Sequence, residues 1–216
     1  MNCIERYILI LILIISCPEI NAQTIDQKSS NIVFLLDISN SMGRDNKMTL
    51  LKKSTEELCK VLNPKDRISL FTFGTTVEML YSTSSYPGPD SLIKTLSKIR
   101  STASATNVNR GIYDAYEWCE KFRQPERNHV LLITDGEFAL SPFTKEMVKT
   151  KNTIVLTCVV IGKGPSADSA VKYVTQELKL KVITLVNEEE DVKKLAELIK
   201  MEMIDNQEVR KKIQGT

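Results

Sequence analysis

The segment NIVFLLDISNSM, residues 31–42, joins an apolar run to a cluster of short oxygen-bearing side chains. Five consecutive apolar residues, Ile32 to Leu36, are typical of a strand buried on both faces of a parallel sheet. Asp37, Ser39 and Ser41 then follow at every second position. Open α/β sheets bind their ligands at the carboxyl ends of such strands. The segment therefore predicts a central strand that ends in a ligand-binding loop.

The side chains of this loop offer only hard oxygen donors. Such donors suit Mg²⁺, Mn²⁺ or Ca²⁺ better than zinc or copper. The alternative interpretation is a Ser/Asn/Asp turn that caps a helix. Because an apolar strand precedes the loop and an amphipathic helix follows it, we favour the metal-binding interpretation.

The first residues have the pattern of an export signal. Tyr7 to Ile15 is an unbroken apolar run, too short to span a bilayer but of signal-peptide length. Residues 1–22 then form a signal peptide cleaved before Gln23. Alternatively, the segment ending at Cys17 resembles a lipobox, so that the signal ends at residue 16 and Cys17 is acylated. Either way we expect an exported protein, in the periplasm or cell envelope or secreted, that meets a membrane only if it is lipidated at Cys17.

After a lead-in at residues 23–30, one domain is expected at 31–204, followed by a tail at 205–216. The roughly 194 residues after the signal suffice for one substantial core.

The chain has 29 basic and 27 acidic residues and no polybasic tract, which argues against a nucleic-acid partner. A single histidine and the lack of a C-x-x-C pair leave a zinc site without support.

Three cysteines of the domain fall on apolar faces of predicted elements. Buried free thiols are the simplest interpretation of Cys59, Cys119 and Cys158. A bridge between Cys59 and Cys119, or between Cys119 and Cys158, stays open at this point because the protein is expected to be exported.

Strands and helices alternate along the domain. The patterns predict strands at 32–36, 67–73, 77–81, 128–135, 153–162 and 181–186, and helices at 47–62, 91–99, 108–122, 142–150, 166–178 and 188–204. The short loop before residue 77 makes that strand an antiparallel partner at a sheet edge. The order predicts an α/β fold: a doubly wound, mostly parallel sheet of about six strands, flanked by about six helices, in a Rossmann-like arrangement.

Polar side chains from three segments converge in this fold. Asp135 follows the apolar strand that ends at Thr134, and Thr106 lies in the loop before the third helix. We expect both to meet Asp37, Ser39 and Ser41 at one edge of the sheet, because the carboxyl ends of parallel strands lie together.

These motifs resemble the von Willebrand factor type A domain with a metal-ion-dependent adhesion site. That family has D-x-S-x-S, a threonine ahead of the third helix, and an aspartate-glycine pair after the fourth strand; the resemblance covers residues 31–203. It implies that Asp37, Ser39, Ser41, Thr106 and Asp135 hold Mg²⁺, or Mn²⁺ or Ca²⁺. Ser104 and Ala105 stand where many relatives have glycine, and Thr102 is the competing candidate for the threonine ligand.

The resemblance also implies a function. Neutral hydroxyls that contact the ion directly leave it electrophilic, so that a partner protein can supply an acidic residue to a vacant position. We therefore expect an exported, metal-dependent protein-binding domain and not an enzyme.

Two other interpretations remain. Aspartates at strand ends also serve metal-dependent phosphotransfer or hydrolysis, but Asp37 is followed by Ser39 and not by a second acidic residue. His129 falls at the start of a buried strand, so it is interpreted as structural rather than catalytic. The third interpretation is a metal-free scaffold in which the serines only cap the first helix.

Overall fold

The structure is a computed structural model that describes residues 29–123, 127–136, 138–178, 180, 182–185, 191, 192, 195 and 197. Six strands form one sheet in the order β3-β2-β1-β4-β5-β6. Their bounds are β1 Asn31–Asp37, β2 Arg67–Phe73, β3 Val77–Thr83, β4 Asn128–Thr134, β5 Ile154–Ile161 and β6 Val182–Leu185.

Five α-helices are complete in the described part of the chain. They are α1 Lys47–Lys60, α2 Pro89–Lys98, α3 Val108–Lys121, α4 Pro142–Thr150 and α5 Pro165–Lys172. A 3₁₀ turn, Asn40–Gly43, precedes α1, and a π-helical turn, Tyr173–Glu177, extends α5. Proline begins α2, α4 and α5, as expected at a position whose N–H has no intrahelical partner.

The first strand is the middle of the core. All seven residues of β1 are buried, and successive side chains point to opposite faces of the sheet. Phe34 and Leu36 pack with α1 and α2 on one face, whereas Val33 and Leu35 pack with α3, α4 and α5 on the other. Each fully buried side chain of this size contributes about 1.5–3 kcal/mol to folding. The sheet is therefore covered on both faces, as predicted from the uninterrupted apolar run.

The order of the strands defines where a ligand can bind. From β1 the chain moves outward through β2 and β3, and then returns to β4 on the other side of β1. β1 is parallel to both β2 and β4, and Leu36 is opposite Ile133. The reversal of strand order leaves a crevice at the carboxyl ends of β1 and β4, which is where open α/β sheets bind ligands.

The predicted edge hairpin is confirmed. β3 is antiparallel to β2, and their register shifts between Leu70 and Phe71. Its outer position leaves Met79 and Leu80 exposed. An irregular edge strand resists pairing with another chain.

Several predicted ends are wrong by a few residues. The first helix ends at Lys60 and not at residue 62, the second begins at Pro89 rather than 91, and β3 continues to Thr83 rather than 81. The fifth helix is α-helical only to Lys172 before it widens into the π turn. Propensity rules locate an element better than its last turn, because tertiary contacts decide the ends.

The three cysteines of the described chain are free and buried. Burial raises the pKa of each thiol, Cys59, Cys119 and Cys158, to about 12. Cys59 packs on one face of the sheet, and the other two pack on the opposite face. Neither of the two bridges considered above is formed.

Both ends of the chain limit the comparison with the sequence predictions. Two predicted segments lie outside the described residues: the signal at 1–22 and the tail at 205–216. The predicted closing helix is described only at residues 191, 192, 195 and 197, which are helical. Among the described residues, no helix has the length and apolarity needed to cross a membrane.

Candidate functional site

The crevice between β1 and β4 opens into a surface pocket of about 280 Å³. All five residues predicted from the sequence line it. The full lining is Asp37, Ser39, Ser41, Arg44, Asp45, Lys47, Thr106, Thr134, Asp135, Gly136 and Ser166.

Asp37, the last residue of β1, is the innermost of the five. It is only 1% exposed, and both carboxylate oxygens accept hydrogen bonds. The Ser39 backbone N–H donates to one oxygen at 2.8 Å, and the Thr134 hydroxyl donates to the other at 2.6 Å. Burial raises the pKa of Asp37, and these hydrogen bonds offset the rise only in part. Asp37 therefore shapes the loop that follows it.

Ser39, Ser41 and Asp135 form a continuous row of oxygens. The two serine hydroxyls lie 3.0 Å apart, and the Ser41 hydroxyl donates to Asp135 Oδ1 at 2.9 Å. Neither serine side chain caps a helix: Ser39 precedes the 3₁₀ turn without a side-chain cap bond, and the N-cap of α1 is Asn46. The alternative role of the serines as helix caps is therefore wrong.

The loop before α3 is joined to the β1 loop through its backbone. The N–H groups of Thr102 and Ala103 both donate to Ile38 O at 3.1 Å, and Asn40 N–H donates to Ala103 O at 2.9 Å. This pairing leaves Thr106 on the pocket wall, exposed to solvent. Of the two candidate threonines, Thr106 lines the pocket and Thr102 does not.

Sequence reasoning did not assign Lys47 to the site, although it contacts a predicted ligand. Its ammonium lies 2.7 Å from Asp135 Oδ2, and the two side chains are 17% and 4% exposed. Both oxygens of Asp135 thus have a donor, Ser41 on one and Lys47 on the other. The only local signal was a cation at the first position of a helix, where the helix dipole disfavours positive charge.

The donor set fits a small divalent cation that prefers oxygen. Neighbouring oxygens around octahedral Mg²⁺ are about 2.9 Å apart, given metal–oxygen distances of about 2.0–2.1 Å. The spacings of 3.0 and 2.9 Å along the row Ser39, Ser41, Asp135 are those of hydrogen bonds, and oxygens so spaced also fit around such an ion. The described residues contain no cluster of three or more His, Cys, Asp or Glu side chains able to hold a metal. The site is thus built on hydroxyls and not on a cage of carboxylates.

Comparison with known proteins identifies the family. The model of the von Willebrand factor type A domain matches residues 31–202, which is most of the chain. The chain belongs to this family. Von Willebrand factor type A domains mediate protein–protein interactions, and the family commonly binds a divalent metal at an adhesion motif.

Two curated proteins are similar in sequence. The chain is 29% identical over 143 residues to the uncharacterized protein YfbK of Escherichia coli, an alignment that covers 64% of this chain and 25% of YfbK. It is 32% identical over 126 residues to inter-alpha-trypsin inhibitor heavy chain H1 of Bos taurus, covering 53% of this chain and 14% of that protein. The chain therefore spans a quarter or less of the length of these relatives.

Solved structures agree on the fold. A von Willebrand factor type A protein from Catenulispora acidiphila has a TM-score of 0.65 at 16% identity, covering 79% of this chain and 42% of that one. An aerotolerance-related membrane protein from Bacteroides fragilis has a TM-score of 0.64 at 16% identity, covering 82% and 99%. Mussel proximal thread matrix protein 1, with a zinc-occupied adhesion motif, has a TM-score of 0.59 at 18% identity, covering 79% and 46%.

Proposed function

We propose that this domain binds a protein partner by presenting a divalent cation, Mg²⁺ or Mn²⁺, to an acidic side chain of that partner. The observation that carries the proposal is the row of oxygens Ser39, Ser41 and Asp135 at the rim of an open pocket. The zinc-occupied motif of the mussel protein supports a metal at this place in the fold.

Each residue has a distinct part in this proposal. Ser41 and Thr106 are exposed, so their hydroxyls face both the pocket and solvent. Asp37 is buried and orients the loop through the Ser39 N–H. A bound ion would supply an electrophilic centre for an incoming carboxylate. The pocket opens to the surface, which leaves room for a side chain from another protein.

The proposal includes the absence of catalysis. Phosphotransfer would need a reachable nucleophilic aspartate and an acidic neighbour, and the lysine beside Asp135 is a feature of the pocket that favours it. Asp37 is 1% exposed with hydrogen bonds to both oxygens, so it is a poor nucleophile. Ser39 stands where a second acid would be needed.

We further propose that the protein is exported and works at the cell envelope or outside the cell. The apolar run Tyr7–Ile15 supports export. One protein with a similar fold is described as a membrane protein, which agrees with a role at the envelope.

Metal binding is tested first, on purified protein by calorimetry with MgCl₂ and MnCl₂. The wild type should bind, Asp37→Ala should bind about 10–100-fold more weakly because it loses the group that orients the ligands, and Ser41→Ala should not bind detectably. Ser85→Ala is the matched control. The Ser85 hydroxyl donates to Pro64 O just before β2, at the end of the parallel strands opposite the pocket. Equal binding by all four proteins would exclude this site.

Partner capture from an envelope extract is measured with the same variants, with and without chelator. The wild type and Ser85→Ala should retain partners only when metal is present, and Ser41→Ala should retain none. The free energy of unfolding of Ser41→Ala should differ from that of the wild type by about 1 kcal/mol or less, since one exposed hydroxyl is removed. Capture that persists with chelator would place the interaction on another surface, and hydrolysis of p-nitrophenyl phosphate by the wild type would favour the enzyme.

A further inference from the structure

We propose that the ammonium group of Lys47 is a built-in counter-cation of Asp135 that competes with the divalent ion for this carboxylate. This inference rests on the proposed function, because it concerns the same metal site. In this proposal Lys47 lowers the affinity of the site for the divalent ion and stabilises the fold when no metal is bound.

The first support is the contact itself. Lys47 Nζ lies 2.7 Å from Asp135 Oδ2, and Asp135 is only 4% exposed. A carboxylate removed from water needs hydrogen bonds and an opposite charge nearby. Ser41 supplies a neutral donor to the other oxygen, so Lys47 is the group that supplies charge.

The second support is that the lysine side chain is largely buried and passes close to the backbone of Gly162. Its side chain is 17% exposed, and its Cε carbon passes over Gly162, just after β5. A Cβ at Gly162 would lie 3.2 Å from that carbon, closer than side chains usually approach, and the φ of Gly162 is +103°. The backbone beside the pocket thus leaves room for this lysine.

The third support is that helix formation does not explain the lysine. Lys47 is the first residue of α1, and the first turn contains no acidic residue. A cation at a helix N-terminus opposes the helix dipole and is unfavourable there. The contact with Asp135 offsets this cost, so the position of the charge is better explained by the pocket than by the helix.

These observations lead to a specific consequence for metal binding. A divalent ion that uses Asp135 must share the carboxylate with the ammonium or displace it, and in both cases the positive charges repel each other. Removing the charge of Lys47 should therefore strengthen metal binding. A lysine with a purely structural role would have the opposite effect, because its loss would disturb the ligands.

The test compares the full chain with Lys47→Met, which keeps an unbranched side chain over Gly162, by calorimetry with MgCl₂ at low ionic strength. The variant should bind Mg²⁺ about tenfold more tightly or better, since a unit charge a few ångströms from the ion opposes binding even at the effective dielectric constant of a protein surface. Lys47→Gln is run in parallel in case methionine packs poorly.

Melting temperature is the second measurement. In chelator, Lys47→Met should melt below the wild type. Addition of Mg²⁺ should raise the melting temperature of Lys47→Met more than that of the wild type, because the variant binds the ion more tightly. Lys47→Arg keeps the charge and should resemble the wild type. Lys163→Met is the matched control: this exposed lysine lines a cavity together with Lys47, but the ion-pair partner of Asp135 among the described residues is Lys47.

The outcomes separate the two proposals. Tighter Mg²⁺ binding by Lys47→Met and Lys47→Gln alone supports the counter-cation. Binding that is unchanged or weaker in these variants, while the wild type binds Mg²⁺, overturns this inference and leaves the proposed function intact. If neither the wild type nor any variant binds Mg²⁺ or Mn²⁺, both proposals fail.

Discussion

Asp37 and Tyr116 illustrate opposite ways of burying a polar side chain. Asp37 accepts hydrogen bonds on both carboxylate oxygens, and these bonds offset part of the cost of its burial. The hydroxyl of Tyr116 is fully buried in α3 and has no hydrogen-bond partner in the described structure. An unsatisfied buried donor costs about 1–3 kcal/mol. Tyr116 is therefore a residue at which the fold gives up stability.

Replacing Tyr116 with phenylalanine should stabilise the domain. Tyr116→Phe removes the unpaired hydroxyl and keeps the ring in its packing, so the free energy of unfolding should rise by about 1 kcal/mol. Chemical denaturation measures it, with an unchanged dependence on denaturant concentration.

Tyr86→Phe is the control for this prediction, because the Tyr86 hydroxyl donates to Cys59 O at 2.9 Å and is buried. This second substitution should lower the free energy of unfolding by about 1 kcal/mol. A loss of stability in Tyr116→Phe as well would mean that its hydroxyl has a partner.

At the scale of the secondary-structure elements, local sequence patterns predicted strands, helices and the loops between them, but not contacts between distant residues. β2 begins and ends where its alternating residues 67–73 indicated, and five oxygen-bearing residues were assigned to one pocket that the structure forms. The contact between Lys47 and Asp135 was not predicted, because the two residues are 88 positions apart and either charge alone resembles a solvated surface residue. The π turn after α5 was missed for a similar reason, since it depends on packing rather than on periodicity.

The end of β2 controls the loop that carries Thr106. A Cβ on Gly74 would lie 2.2 Å from the Ala103 methyl carbon and 3.2 Å from a side-chain carbon of Ile38. Gly74→Ala should therefore push the loop away and weaken Mg²⁺ binding, although Gly74 is not a candidate ligand. Calorimetry measures the change.

A second substitution makes this prediction specific. Ala103→Gly removes the carbon that the new methyl group meets, so the double variant Gly74→Ala/Ala103→Gly should recover part of the lost affinity. Unchanged metal binding in Gly74→Ala alone would show that the position of the loop does not matter to the site.

For the whole molecule, the fold separates the apolar cores from the candidate site. The cores on the two faces are apolar and contain no part of the pocket lining. The site lies at the sheet edge, where its side chains can be changed without altering either core. This separation is the reason that we expect substitution of an exposed side chain of the site, such as Ser41, to spare the fold.

The proposed export predicts where the mature protein begins. N-terminal sequencing of the mature protein should begin at Gln23 if an ordinary signal peptidase acts. A blocked, membrane-associated form that is lost in Cys17→Ser would instead identify the lipoprotein route. A full-length protein that stays in the cytoplasm would contradict both routes.

The loops around the pocket are joined by peptide groups: Ile38 O accepts from Thr102 and Ala103, and Ala103 O accepts from Asn40. Every residue type except proline can make such bonds, so these links between the loops do not require the side chains displayed at the rim. Evolution or a protein engineer could therefore change the ligands while keeping their places. Histidine at the positions of Ser41 and Thr106, for example, would convert an oxygen site into one suited to a softer metal on the same frame.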